Sequence, residues 1–149
     1  ATIAAGIERL LPYAAEHGVR LGIEPLHPMM VGERSAIVSL GEALTLARRL
    51  GAGVIVDDYH VFWDPELETL LAGATGLIAG YHVSDWLVPT PDLLAGRGLM
   101  GDGIIDLPRI GALVEAAGYN GPIEVEVINS ALADMPDLLA EIAARFGDR

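Results

Sequence analysis

Four times along this chain a short apolar run gives way to a loop and then to a stretch with helical spacing. The runs are VRLGIEPL, AGVIVDDYH, TGLIAGYHVSD and NGPIEVEVIN. Runs that are apolar almost throughout read as strands buried on both faces. Their alternation with helices implies a parallel sheet under helical cover. Ahead of the first run, Ile3, Ile7, Leu10, Leu11 and Ala14 recur at helical spacing over residues 1–17, and Gly18 stops that helix. Pro25 closes the first strand, because proline cannot donate to a ladder. Ser39 is placed to cap the helix LGEALTLARRL, which ends at Gly51. Asp64-Pro65 opens a short helix through Leu71, and LPRIGALVEAAG and MPDLLAEIAARF supply the last two.

Four such units are half of an eightfold β/α barrel, which in complete form needs about 250 residues. With 149 residues, the chain is expected to be either half of a longer barrel or a smaller open α/β domain. Four parallel strands leave two open edges and an apolar inner face, both hazardous in water. The expectation is therefore that a missing N-terminal half-barrel, or else a second copy of the chain, covers them. A start at Ala1 within a helical pattern fits a cut or processed end. One glycine- and proline-rich segment, about residues 86–106, is long enough to be suspected of function.

Composition narrows the classes of function. The chain is 52% hydrophobic, so it builds a core, yet no apolar run reaches the roughly 18 residues of a membrane span. Cysteine is absent, which removes thiolate nucleophiles, disulfides and cysteine-ligated metals and accords with an expected cytoplasmic location. Twenty-one acidic residues stand against nine basic ones, and the net charge of −12 repels a phosphate backbone. Neither a membrane nor a nucleic acid is the expected partner.

The chemistry-bearing residues cluster at the downstream ends of the runs: Glu24, Asp57 with His60, His82 and Glu126. In a parallel barrel those ends converge on one face. Carboxylates among Val, Ile and Gly are costly to bury unless paired or bound to a metal. Two glutamates, an aspartate and a histidine make a mixed oxygen/nitrogen set suited to Mn²⁺, Co²⁺ or Mg²⁺. Glu124 shares a face with Glu126. Glu126 lies nearer the rim and is the better ligand, leaving Glu124 as a buried pairing partner. Asp58 reads as a capping or loop acid, and His17 as a residue for the end of its helix. His27, in EPLHPMM, faces the expected mouth of the site, where functional and structural roles weigh evenly. Arg97 lies in a flexible stretch that can fold over a substrate. Its surroundings, GRGLMGDG, lack the Lys-Ser/Thr and the strand-to-helix context of nucleotide loops. Trp63 and Trp86 read equally well as core or as pocket wall. No nucleophile elbow or cysteine–histidine dyad is present.

The strings GIEPLHPM, VDDYHVFWDPE, YHVSDW, RGLMGDGIIDLPRI and GYNGPIEVEV, in this order, resemble the xylose-isomerase-like superfamily of sugar and sugar-phosphate isomerases and epimerases. The resemblance covers residues 1–149 as the C-terminal half of a (β/α)8 TIM-type barrel, the last four βα units. It implies that Glu24, Asp57, His82 and Glu126 hold one divalent metal, and that His60 contributes to substrate binding. His27, at the mouth, and Trp86 are further substrate-binding candidates. The family's arginine after the seventh strand is out of register here, where Trp86 follows Ser84-Asp85, and Arg97 is the candidate to replace it. Endonuclease IV shares the fold but requires three metals and more histidines, and its basic face is missing. The implied reaction is proton transfer by Glu24 and Glu126 through an enediolate of a bound sugar, sugar phosphate or keto-sugar. Isomerisation, epimerisation and an inosose-dehydratase-like loss of water all use that platform, and the sequence does not choose among them. The contrasting expectation is a catalytically incomplete, carbohydrate-binding half-barrel.

Overall fold

The computed structural model describes residues 2–129, 132 and 137–146. Helix α1 (Thr2–Glu16) leads into strand β1 (Gly22–Ile23), followed by α2 (Leu40–Leu50) and β2 (Gly53–Asp57). Two short helices, α3 (Asp58–Val61) and α4 (Leu67–Ala72), precede β3 (Ile78–Val83). Next come β4 (Asp85–Trp86), β5 (Arg97–Gly98), α5 (Leu107–Ala116), β6 (Ile123–Val125) and α6 (Leu138–Phe146). Strands β1, β2, β3 and β6 form one parallel sheet in that order, so successive βα units lie side by side, as in an arc of a barrel.

Local chemistry sets the element ends. Ser39 Oγ accepts the N–H of Glu42 at 3.2 Å, and the Glu42 carboxylate accepts the N–H of Val38 at 3.2 Å. This reciprocal cap starts α2 and contributes about 1 kcal/mol. Gly51 ends the helix at φ 75°, in the left-handed region that a side chain would strain, and its N–H returns to Ala47. The buried face of α2 (Leu40, Ala43, Leu44, Ala47) joins Val54 and Val56 of β2, Leu67 and Leu71 of α4, and Ile110 and Val114 of α5 in one core. Asp57, Ile55 and Gly53 alternate onto the opposite, inner face. There Ile55 lies across β1 and β3: a Cβ built on Gly22 or Gly80 would sit 2.5 or 2.8 Å from its Cδ1. Two glycines thus make room for the large Ile55 side chain below the site.

Between β2 and β3 the register steps once. Val54 is opposite Ile78, but Ile55 is opposite Gly80, so Ala79 is an extra residue and Asp57 comes opposite His82. The next pair continues the row, with His82 opposite Glu124.

Two expectations are corrected, and a third falls partly outside the described residues. The first strand is far shorter than VRLGIEPL: it spans Gly22–Ile23, and the chain turns away at Glu24-Pro25. The closing helix is seen over Leu138–Phe146, and the expected start at Met135-Pro136 lies outside the described residues. Residues 86–106, read as a flexible stretch, are mostly turn and loop but are tied down where β4 and β5 pair antiparallel, opposing Asp85 to Gly98 and Trp86 to Arg97. No helix among the described residues is long and apolar enough to cross a membrane.

Asp85 anchors that segment. Fully buried, its carboxylate accepts backbone N–H groups from Trp86 at 2.8 Å, Gly101 at 2.9 Å, Gly103 at 2.9 Å and Ile105 at 3.0 Å. Asp85→Ala would leave these donors without their acceptor and should cost about 3 kcal/mol or more. Asp85→Asn, which keeps one acceptor oxygen, should fall between. Urea unfolding midpoints check this, and an alanine variant as stable as wild type would contradict it.

Candidate active site

The downstream ends of the four parallel strands bring Glu24, Asp57, His82 and Glu126 together. Each offers one donor atom, and the four atoms lie within 4.8 Å of one another. His82 Nδ1 stands 3.0 Å from Glu126 Oε2 and 3.8 Å from Glu24 Oε1. Asp57 is fully buried at the end of β2, and its Oδ1 caps α3 by accepting the N–H of Tyr59 at 2.9 Å. Its Oδ2 receives the Arg97 guanidinium at 2.8 Å.

The neighbouring carboxylates raise the proton affinity of Glu24 and Asp57. Burial, with Asp57 and Glu126 nearby, pushes Glu24 up to about 7 against the pull of His82 and Arg97. Burial also lifts Asp57 to about 6, although Arg97 opposes it. Such a site favours a cation. Two oxygens on opposite sides of an ion at about 2.1 Å stand about 4.2 Å apart, so four donors within 4.8 Å need little contraction to surround one. The residue types and the spacing both fit a divalent metal.

Arg97, expected on a flexible stretch, is instead buried at 3% exposure. Its guanidinium also donates to the Glu126 carbonyl at 3.0 Å, stands 3.1 Å from His60 Nε2, and lies 4.5 Å from the centre of the Tyr59 ring. His60 is buried too. Its Nδ1 accepts the His27 N–H at 3.0 Å, and burial beside Arg97 lowers its pKa to about 3, so the ring is neutral. His27 has a visible structural role as well: its Nδ1 accepts the N–H of Met29 at 3.2 Å and so caps the 3₁₀ turn Pro28–Met30.

An aromatic wall flanks these groups. Trp86 stacks on Tyr59 at 4.8 Å between ring centres, with Phe62 at 5.3 Å and His27 at 5.1 Å. Trp86 is half-buried in that wall, whereas Trp63 is exposed and donates to the His60 carbonyl at 2.8 Å. Sequence reasoning missed Tyr59 and Phe62 here, although the density of rings in DYHVFW was the available signal.

Two acids depart from expectation. Asp58 neither caps nor faces a loop. It is buried on the helix side of the sheet, its Oδ2 accepts the Tyr81 hydroxyl at 3.0 Å, and burial holds it well above the ordinary carboxylate range. The capping falls to Asp57 because its side chain leaves the strand on the inner face. Glu124 is not buried but 62% exposed, and it stands 3.9 Å from His82 Nε2.

The family model described as xylose isomerase-like TIM barrel matches residues 1–147, and the chain belongs to that family. Among solved structures, protein SMc04130 from Sinorhizobium meliloti 1021 is 43% identical, with a TM-score of 0.94 over 97% of this chain and 55% of its own. An IOLI protein with a bound zinc atom is 19% identical, with a TM-score of 0.77 over 96% of this chain and 52% of its own. D-allulose 3-epimerase from a Methylomonas species, in complex with D-allulose, is 21% identical, with a TM-score of 0.69 over 97% of this chain and 47% of its own. The chain therefore spans about half the length of these structures, and the two more distant ones establish the shared fold alone. No protein of curated function matches.

The crowding makes a pH-dependent prediction. A carboxyl whose folded pKa is raised stabilises the fold when protonated, and that contribution is lost as pH rises through the folded value. For Glu24 the window runs from its ordinary value of 4.5 to about 7. With divalent ions chelated, Glu24→Gln should raise the urea midpoint more at pH 8 than at pH 5. A difference between variant and wild type that is flat across this range would rule the crowding out.

Proposed function

We propose that the protein is a divalent-metal-dependent isomerase or epimerase of a small sugar, keto-sugar or sugar phosphate. The observation that carries this reading is the convergence of three carboxylates and one imidazole, from four strand ends, within 4.8 Å. We read the four units as the fifth to eighth of the barrel, so that the remaining pocket wall comes from a preceding half of the chain or a second copy.

Glu24, Asp57, His82 and Glu126 would hold the ion, which supplies polarisation of a substrate carbonyl and acidification of the neighbouring C–H. Glu24 and Glu126 approach from β1 and from the end of β6, on either side of β2 and β3. One carboxylate removes the proton beside the carbonyl and the other returns it. Delivery to the opposite face of the same carbon epimerises, whereas return to the neighbouring carbon on the same face isomerises. Arg97 holds Asp57 ionised and in place. His60, kept neutral, is a hydrogen-bonding rather than a charged group toward a sugar hydroxyl, and Trp86 and His27 offer ring faces to its C–H surface. A carbohydrate-binding protein without turnover shares the wall and the ion but does not move a proton.

Two outcomes are expected. The protein should bind about one Mn²⁺ or Co²⁺, and an Asp57→Asn/Glu126→Gln double variant should bind none, as read by metal analysis after gel filtration. With a ketose and the metal in place, the protein should exchange a substrate carbon-bound proton with solvent deuterium. Glu126→Gln should slow that exchange by about 10²–10⁴-fold. A metal-loaded Glu126→Gln variant exchanging at the wild-type rate would remove Glu126 from the chemistry.

A further inference from the structure

Glu124 belongs to neither the acid cluster nor the core, yet its position on the sheet is fixed. It is the parallel-register partner of His82, and period-two alternation puts both side chains on the inner face. The two nitrogens of the His82 ring are thereby divided. Nδ1 faces Glu126 at 3.0 Å and Glu24 at 3.8 Å, whereas Nε2 faces Glu124 Oε2 at 3.9 Å. Among the described residues, Glu124 carries the one carboxylate within 4.0 Å of Nε2.

We infer that Glu124 is a positioning residue that accepts the Nε2–H of His82 and presents its Nδ1 to the metal. The inference rests on the metal-site reading of the preceding subsection. Were Glu24, Asp57, Glu126 and His82 Nδ1 to hold a divalent ion, the Nδ1 lone pair would be engaged and the single proton of the neutral ring would reside on Nε2. That proton then points at Glu124. A histidine ligand that donates its other N–H to a carboxylate is held in one tautomer and one ring orientation, and it is a more basic ligand. The gap from 3.9 Å to a hydrogen bond is closed by a rotation about the Glu124 side-chain bonds. The bland alternative, a solvated glutamate on a short strand, accounts for the exposure but not for the matched register or for the ring turning its free nitrogen this way.

The test uses the full-length protein and Co²⁺ as the probe. Glu124→Ala should weaken Co²⁺ binding by about 10–100-fold, the usual consequence of removing such a partner. Glu124→Gln keeps an acceptor oxygen and should recover most of that loss, whereas loss of a negative charge alone would weaken binding equally in both variants. In the Zn²⁺-loaded protein, the ¹⁵N-labelled His82 Nε2–H should give a resonance protected from solvent exchange, and Glu124→Ala should abolish the protection. Wild-type Co²⁺ affinity in Glu124→Ala, equal losses in the two variants, or unchanged protection of that proton would each overturn the inference. A wild-type protein that binds no Co²⁺ would instead remove the metal-site reading itself, and this inference with it.

Discussion

The buried pair between Arg97 and Asp57 holds this half-barrel's chemistry together. Neither charge is tolerable alone where they sit, because taking an ion out of water costs several kcal/mol. Together they cross from β5 to the end of β2 at 2.8 Å. The same guanidinium fastens the Glu126 carbonyl beyond β6, and Asn129 donates back to the Arg97 carbonyl at 2.8 Å. Arg97 thus ties the segment after β3 to the strands on either side of that strand. It also brings one positive charge into a region that otherwise gathers negative ones. Without it the acids would protonate or spread apart rather than converge.

That gathering is possible because a parallel sheet lines up equivalent positions. Strand ends from four units arrive at one rim, so donors far apart in sequence become neighbours without any long loop to position them. The rigid parts and the chemical parts are separated by face. Val54, Val56, Ile78 and Val114 pack on the helix side, while the inner side carries small residues and, at the rim, acids. Asp57 and Asp58 show how sharp that division is. Adjacent in sequence and both fully buried, one points into the acid cluster and the other into the helix layer against Tyr81.

The alternation of strand and helix was legible in the sequence because it rests on local periodicity and end signals, and Ser39 and Gly51 fall at the ends they indicate. The four converging residues were legible too, since each follows an apolar run at the same relative place. Arg97 was misjudged as a residue of a mobile stretch. Glycine and proline are turn formers by local preference, and the short β4–β5 ladder depends instead on a carboxylate, Asp85, bonding residues as far along as Ile105. Nothing local announces a contact of that kind. Glu124 was placed on the correct face but in the wrong environment, because alternation fixes the side of a sheet and says nothing about what covers it. In β1 the apolar pattern promised a longer strand than the two residues that pair with β2.

The extra residue in β3 has a meaning beyond local irregularity. Had the β2–β3 register run on unbroken from Val54 and Ile78, Asp57 would stand beside Tyr81, whose side chain belongs to the other face. Ala79 works as a phase shifter: it delays one strand by a single step, so that carboxylate and imidazole come up together. One extra backbone residue, with no chemistry of its own, thereby decides whether two functional groups meet. Deleting that one residue would part carboxylate from imidazole without touching either.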